Sequence, residues 1–274
     1  MTIRPIFLLI FIFFSFSSCV SGHRSSSKKI AQQDSLRIMT YNIHHAAPAG
    51  TNDVNTASIA AVINRYQPAL VALQEVDVNT RRSGIDSNQA ALIAAASGMQ
   101  FYFAKSIDYD GGEYGIAILS KYPLSGAMHV RLPQVAGGTT EPRTLATAVV
   151  HLPGGKKILF ACTHLDSEKS DSTRLLQLEY IAQALKGKNM PVIIAGDFNT
   201  TSGSEAMQKF DKSFTQSCTV CPPTFPVGTP RKTIDYIAYS PATALQVHSH
   251  SVLPEHTQSD HLPVMVVATL NNGD

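Results

Sequence analysis

The chain has 274 residues, of which 44% are hydrophobic and 15% charged, with a formal net charge of +2 and no tryptophan. That is enough for one large globular domain or two small ones. Nothing in the near-even charge balance calls for the strongly basic surface with which a general nucleic-acid binder neutralises phosphates.

The amino terminus stands apart. Arg4 is followed by an apolar run from Pro5 to Phe16 and then by Ser17-Ser18-Cys19. A positive start, a short apolar core and small residues before a cut predict an export signal over residues 1–18, too short to favour a spanning helix. Cys19 resembles the lipid-attachment site of bacterial lipoproteins, the other outcome being simple cleavage. The chain is therefore expected to be exported, either anchored to a membrane at the periplasmic face or cell surface through a lipidated Cys19, or secreted. Residues 19–34 read as a polar tether without apolar periodicity, and residues 35–274 as the folded domain. Arg4, Arg24, Lys28, Lys29 and Asp34 all precede Ser35, so the domain itself is close to neutral.

In chain order, Leu36–Tyr41 alternates as a strand and ends on Asn42-Ile43-His44-His45. Asn55 or Thr56 caps a helix over 57–66 that Pro68 stops, and Ala69–Leu73 is a buried strand ending at Gln74-Glu75. Ser87 is placed to cap a helix over 88–96, with Gly98 just beyond. Strands follow at 101–104 and 115–119, joined by a loop over 110–114, and then at 128–132, 144–151 and 157–163. The last of these runs into His164-Leu165-Asp166. Asp171 or Ser172 caps an amphipathic helix over 173–185 that Gly187 closes. Pro191–Gly196 is an apolar, β-branched strand that delivers Asp197 and Asn199. Strands at 233–239, 245–251 and 262–268 complete the chain, the first carrying Asp235 and the last preceded by Ser259-Asp260-His261. Strand, helix, strand order in both halves suggests two sheets packed face to face with helices outside.

Of the later cysteines, Cys162 lies in an apolar run as a buried thiol. Cys218 and Cys221 are followed at once by Pro222-Pro223, where a redox motif would open a helix, and no second pair completes a zinc site. A small loop disulfide is expected.

Six places put polar groups beside strands: Asn42, Glu75, His164, Asp197 with Asn199, Asp235, and Asp260 with His261. Each alone is an ordinary turn residue. Together they form a matched set of oxygen ligands and imidazoles. Thr40-Tyr-Asn-Ile43, Leu73-Gln-Glu-Val76, Tyr114–Lys121, Thr163-His-Leu165, Gly196-Asp-Phe-Asn199, Ile234-Asp-Tyr-Ile237 and Ser259-Asp-His261 resemble, in order, the motifs of the endonuclease/exonuclease/phosphatase superfamily, the deoxyribonuclease-like metal-dependent phosphoesterases.

The resemblance implies an α/β, four-layer sandwich of two packed mixed β-sheets flanked by helices. It implies Mg2+, or Mn2+, held by Glu75 with Asn42 beside it and Asp260 as a nearby carboxylate. Asp235 would pair with His261, Asp197 and Asn199 would lie against the attacked phosphate, and His164 would stand on its other side. The base is left open between Asp197 and His261. Substrate-binding candidates are Arg81 and Arg143, whose guanidinium groups match phosphate though surface salt bridges explain either arginine as well, together with Glu113 and Tyr114, of which Glu113 is placed to orient His164. His44 and His45 either line the mouth of the site or are ordinary loop residues. The expectation is a monomeric, Mg2+-dependent phosphodiesterase or phosphatase acting on a nucleic acid, a phospholipid headgroup of the sphingomyelinase type or a small phosphate ester. The contrasting reading is a noncatalytic binding domain on the same fold. Its mark would be loss of Glu75, His164, Asp197 or His261, and all four are present.

Overall fold

Alternating apolar residues in Leu36–Asn42 form β1, and the apolar runs that follow form the strands around it. The computed structural model describes residues 1–2, 35–138 and 140–271, so the expected signal, Cys19 and the tether lie outside the described residues. After β1 come α1 (Thr56–Tyr66), β2 (Leu70–Val78), α2 (Gln89–Ser97), β3 (Gln100–Tyr109), β4 (Gly112–Ser120), β5 (Leu124–Arg131), β6 (Thr144–His151) and β7 (Lys157–His164). Then follow α3 (Ser172–Leu185), β8 (Val192–Asp197), α4 (Glu205–Phe210), β9 (Thr215–Gln216), β10 (Asp235–Ser240), β11 (Leu245–Val252) and β12 (Val264–Leu270). Helix α2 is capped by Asn88, whose Oδ1 accepts from Ala91 N–H at 3.0 Å, and not by Ser87. At α3 the Asp171 side chain makes no capping bond and pairs with Arg174 instead, at 2.7 Å.

The strands form two six-stranded mixed sheets, ordered β11-β12-β1-β2-β4-β3 and β5-β6-β7-β8-β10-β9. Ile38, Leu70, Ile118, Phe160, Ile193, Ile237 and Val266 from the facing sides of both sheets make one buried core. On the outer side of the first sheet, Met39, Val71 and Leu119 pack with Ile59 and Ile63 of α1 and Ile93 of α2. On the outer side of the second, Ala161, Ile194 and Tyr236 pack with Leu178 and Ile181 of α3 and Phe210 of α4. The expected four-layer α/β sandwich is therefore the observed one.

Two local features aim the site. β7 and β8 run parallel with His164 opposite Asp197, and β8 and β10 run antiparallel with Asp197 opposite Asp235. The strands come this close because residue 196 is glycine: a Cβ there would meet the Thr163 carbonyl oxygen at 2.1 Å. In β2 the pairing with β4 shifts register between Leu73 and Val76, and Glu75 adopts a φ of +58°. A bulge of this kind redirects one side chain out of the pleat, and it turns Glu75 toward the end of β1.

Candidate active site

The carboxyl ends of β1, β7 and β8, with Glu75 from β2 and Asp235 from the start of β10, bring both sheets to one point. Asp197, 1% exposed, is its centre. Its Oδ2 lies 3.1 Å from Asn42 Nδ2, 3.5 Å from His164 Nε2 and 3.7 Å from His261 Nε2. Its Oδ1 accepts from Asn199 N–H at 2.9 Å. Asn199 takes a left-handed φ of +49°, which asparagine tolerates, and donates its amide to the Leu165 carbonyl at 3.0 Å. Burial, together with the carboxylate of Asp235, pushes the Asp197 carboxyl up to about 7, against the opposing pull of His261 and the hydrogen bonds from Asn199 and Asn42.

His261 Nδ1 donates to Asp235 Oδ2 at 2.9 Å, and its ring packs on Phe225 with centroids 4.7 Å apart. Burial alone would lower its pKa, but the carboxylates of Asp235 and Asp197 outweigh it and raise the group to about 10. His261 is thus an imidazolium at neutral pH. His164 is the opposite case. Burial, then the charges of Arg143 and His261, hold it well below its ordinary value. Arg143 Nη1 lies 3.2 Å from His164 Nδ1. Because a guanidinium only donates, Nδ1 must be the acceptor and Nε2 must carry the proton, directed toward Asp197.

Arg143, expected only as a phosphate partner, is the residue that orients His164; it also bonds Glu141 at 2.7 Å and the buried Tyr114 hydroxyl. Glu113, expected in that orienting role, pairs with Lys105 at 3.2 Å instead. Arg81 is exposed and bound to Asp110 at 2.9 Å, while its neighbour Arg82 turns inward to the buried Asp77. Asp110 therefore holds the Arg81 side chain, leaving Arg143 as the arginine in contact with the site's imidazole. Tyr114 stands within electrostatic reach of Glu75, and burial raises its phenol well above the usual value.

On the metal side, Asn42 Nδ2 donates to Glu75 Oε1 at 2.9 Å as well as to Asp197, and Asn42 Oδ1 accepts from His44 N–H at 3.1 Å. Asn42 therefore ties the two carboxylates together through its nitrogen. Asp260 is half-buried, with Oδ1 3.4 Å from the Ser259 hydroxyl. Among the described residues, two groups of side chains bring ligand atoms within 4.8 Å of one another: Asp197, Asp235 and His261, and His44, His45 and Glu75. The first group is largely satisfied by its own hydrogen bond, though Asp235 Oδ1 is buried without a partner. The second contains His45, 5% exposed, with both ring nitrogens buried and unpartnered. These residues fit a divalent cation beside Glu75. The structure thus places His44 and His45 at the site rather than on an ordinary loop. The pattern His44-His45 directly after a strand-ending Asn42 was the available signal.

Burial lowers His45 to about 4, so the folded protein keeps it neutral where the unfolded chain protonates it near 6.5. The unfolded state then binds more protons between those values, and the stability contributed by neutral His45 is lost as pH falls through that window. The Tm of wild type relative to His45→Asn is expected to fall between pH 7.5 and 4.5. Thermal melts of the metal-free proteins check this, and a difference that does not change with pH contradicts it.

A four-layer sandwich with carboxylates, an amide and two imidazoles converging at its strand ends defines a phosphoesterase frame. The chain belongs to the endonuclease/exonuclease/phosphatase family, whose model matches residues 39–261. Members of the family are generally phosphoester hydrolases and typically use divalent metals. The chain is 26% identical over 250 residues to YbhP of Escherichia coli K12, an uncharacterized protein, covering 85% of this chain and 96% of YbhP. An endonuclease/exonuclease/phosphatase from Beutenbergia cavernae superposes with a TM-score of 0.73 at 25% identity, covering 87% of this chain and 72% of that one. A mannosyl-6-phosphatase of Bacteroides thetaiotaomicron shares the fold with a TM-score of 0.69 at 20% identity, covering 86% of this chain and all of that one.

Cys218 and Cys221 are disulfide-bonded, as the proline pair after them led one to expect, and Cys162 is a buried free thiol.

Proposed function

We propose that this chain is a divalent-metal-dependent hydrolase of phosphoester bonds that directs water in line at phosphorus. The observation that carries the reading is the single oxygen Asp197 Oδ2, faced by Asn42 and His164 from the ends of β1 and β7 and by His261 from the segment before β12. Raised to about 7, Asp197 is poised to take the proton of an attacking water near neutral pH, with Asn199 fixing its other oxygen through the backbone. His261, charged and held by Asp235, is suited to a phosphoryl oxygen rather than to the role of base. His164, neutral and locked by Arg143, offers Nε2–H to a second phosphoryl oxygen. Glu75 would hold the cation, with Asp260 as a further carboxylate; family resemblance supports Mg2+ or Mn2+. What such an ion supplies when bound is neutralisation of charge on the phosphoryl oxygens and help to the departing oxygen.

A cavity of about 500 Å³ opens beside Asn199 and Thr200, bounded by Lys169, Arg174, Phe225 and Lys232. Glu168 and Asp171 stand among those cations and Asp171 pairs with Arg174, so the lining is mixed in charge. The cavity's size favours a compact polar phosphoester over a nucleic-acid duplex, and the sugar-phosphate activity named for the Bacteroides phosphatase is in keeping with that class. The signal-like first 18 residues support export, with anchoring through Cys19 where that residue is lipidated. The test is a panel comprising small monoesters and diesters, sphingomyelin, and single- and double-stranded DNA, offered to the full chain with Mg2+ or Mn2+. Fastest turnover of the small polar esters is expected. A preference for duplex DNA would contradict the substrate reading, and inertness toward the whole panel would contradict the activity.

A further inference from the structure

The chain leaves β1 through a tight turn in which three successive residues other than glycine, His44, His45 and Ala46, have φ values of +45°, +45° and +60°. Such backbone persists only where its surroundings over-determine it, and clusters at functional sites. Here the turn is pinned by Asn42 Oδ1 on His44 N–H at 3.1 Å and by Gln89 Nε2 on the His45 carbonyl at 2.7 Å. It sets the two imidazoles side by side, with centroids 4.4 Å apart.

Their nitrogens are arranged for ligation. His44 Nδ1 lies 3.0 Å from the Ala47 carbonyl oxygen, which can only accept, so Nδ1 carries the proton and Nε2 keeps its lone pair. A ligating histidine is oriented in this manner, its second nitrogen bonded to a backbone carbonyl. His45 is 5% exposed and neither of its nitrogens has a partner, which is costly for a buried ring with no occupant beside it. The third group is Glu75, on its bulge, with one ligand atom of each residue within 4.8 Å of the others. Asn42, by contrast, turns nitrogen and not oxygen toward Glu75.

We propose that His44, His45 and Glu75 form a two-histidine, one-carboxylate site that selects a first-row transition ion, such as Mn2+, Fe2+, Co2+ or Zn2+, over Mg2+. The proposal deepens the functional reading above, since it rests on Glu75 holding the cation and alters which cation that is. The physical reason is ligand type: imidazole nitrogen suits transition ions, whereas Mg2+ demands oxygen and surrenders its water reluctantly.

The test is Co2+ binding to the metal-stripped full chain. Expected are visible d–d bands that Zn2+ abolishes by competition and that a thousandfold excess of Mg2+ leaves in place. In His44→Asn/His45→Asn, chosen because asparagine tolerates the left-handed turn, the bands should be lost and Zn2+ affinity should fall about 100-fold or more. Circular dichroism of the metal-free variant confirms its fold. Should it not fold, pulsed electron paramagnetic resonance of Mn2+-loaded wild type reads imidazole nitrogen directly. Displacement of Co2+ by equivalent Mg2+, unchanged bands in a folded double variant, or absent nitrogen coupling would overturn the site. Metal-dependent phosphoester hydrolysis together with any of those results overturns this inference alone. Imidazole-ligated Co2+ on a chain that cleaves no phosphoester overturns the functional reading alone.

Discussion

Asp197→Asn is expected to lower kcat toward a phosphoester by about 10³-fold, within the range that positioned acid–base groups contribute. The replacement keeps the shape and can keep the contact with Asn199, but it cannot take a proton from water. Its amide nitrogen would face the three donors now around Oδ2, a cost that does not depend on the titration of residue 197, but the stability of the metal-free variant relative to wild type should rise with pH. Because the folded carboxyl is raised to about 7, the folded state binds more protons than the unfolded state between the ordinary carboxylate range and 7, so wild type loses stability as pH rises through that window. An uncharged amide escapes that loss. Steady-state kinetics paired with melts at pH 5 and 7.5 check both halves, and a variant that turns over at the wild-type rate removes Asp197 from the chemistry.

The second large effect concerns the Asp235–His261 pair. With its Nδ1 2.9 Å from Asp235 Oδ2 and its charge supported by two carboxylates, His261 stays protonated to about pH 10. Asp235→Asn removes one of those carboxylates, so the pKa of His261 must fall. The rate should drop by about 10²- to 10⁴-fold at neutral pH. The remaining activity should decline at a lower pH than in wild type, because the cationic ring is lost sooner. The alkaline limb of the kcat profile is the readout. If it stays in place while the rate is unaffected, His261 does not act as a cation held by Asp235.

Much of this site was legible in the sequence because strands announce themselves by apolar runs, and each run here stops on a polar residue that a packed core would not otherwise tolerate. Asp197, Asn199 and His164 were visible for that reason, and Asp235 as a carboxylate within an otherwise apolar alternating run. What stayed hidden depends on contacts between distant segments. Nothing local distinguishes Arg143 from Glu113 as the partner of His164; the choice is made where β6, β7 and β4 meet. The loop expected over 110–114 is a tight turn at Asp110-Gly111 between long strands, because Glu113 and Tyr114 continue β4 across from β3. Helix α4 and the two-residue β9 are too short to carry a period, and their stability comes from packing under Phe198 and beside Ala238. The inward set of His45 arises from a backbone conformation that composition does not encode.

Phosphoester hydrolysis by this chain is expected to depend on a divalent cation at Glu75. The most direct measurement is hydrolysis of bis(p-nitrophenyl) phosphate by metal-stripped wild type and Glu75→Gln, each with and without added Mn2+ or Mg2+. Activity that is absent in chelator, returns on metal addition in wild type and fails to return in Glu75→Gln is the predicted result. Undiminished hydrolysis in chelator, or full metal rescue of Glu75→Gln, would contradict it.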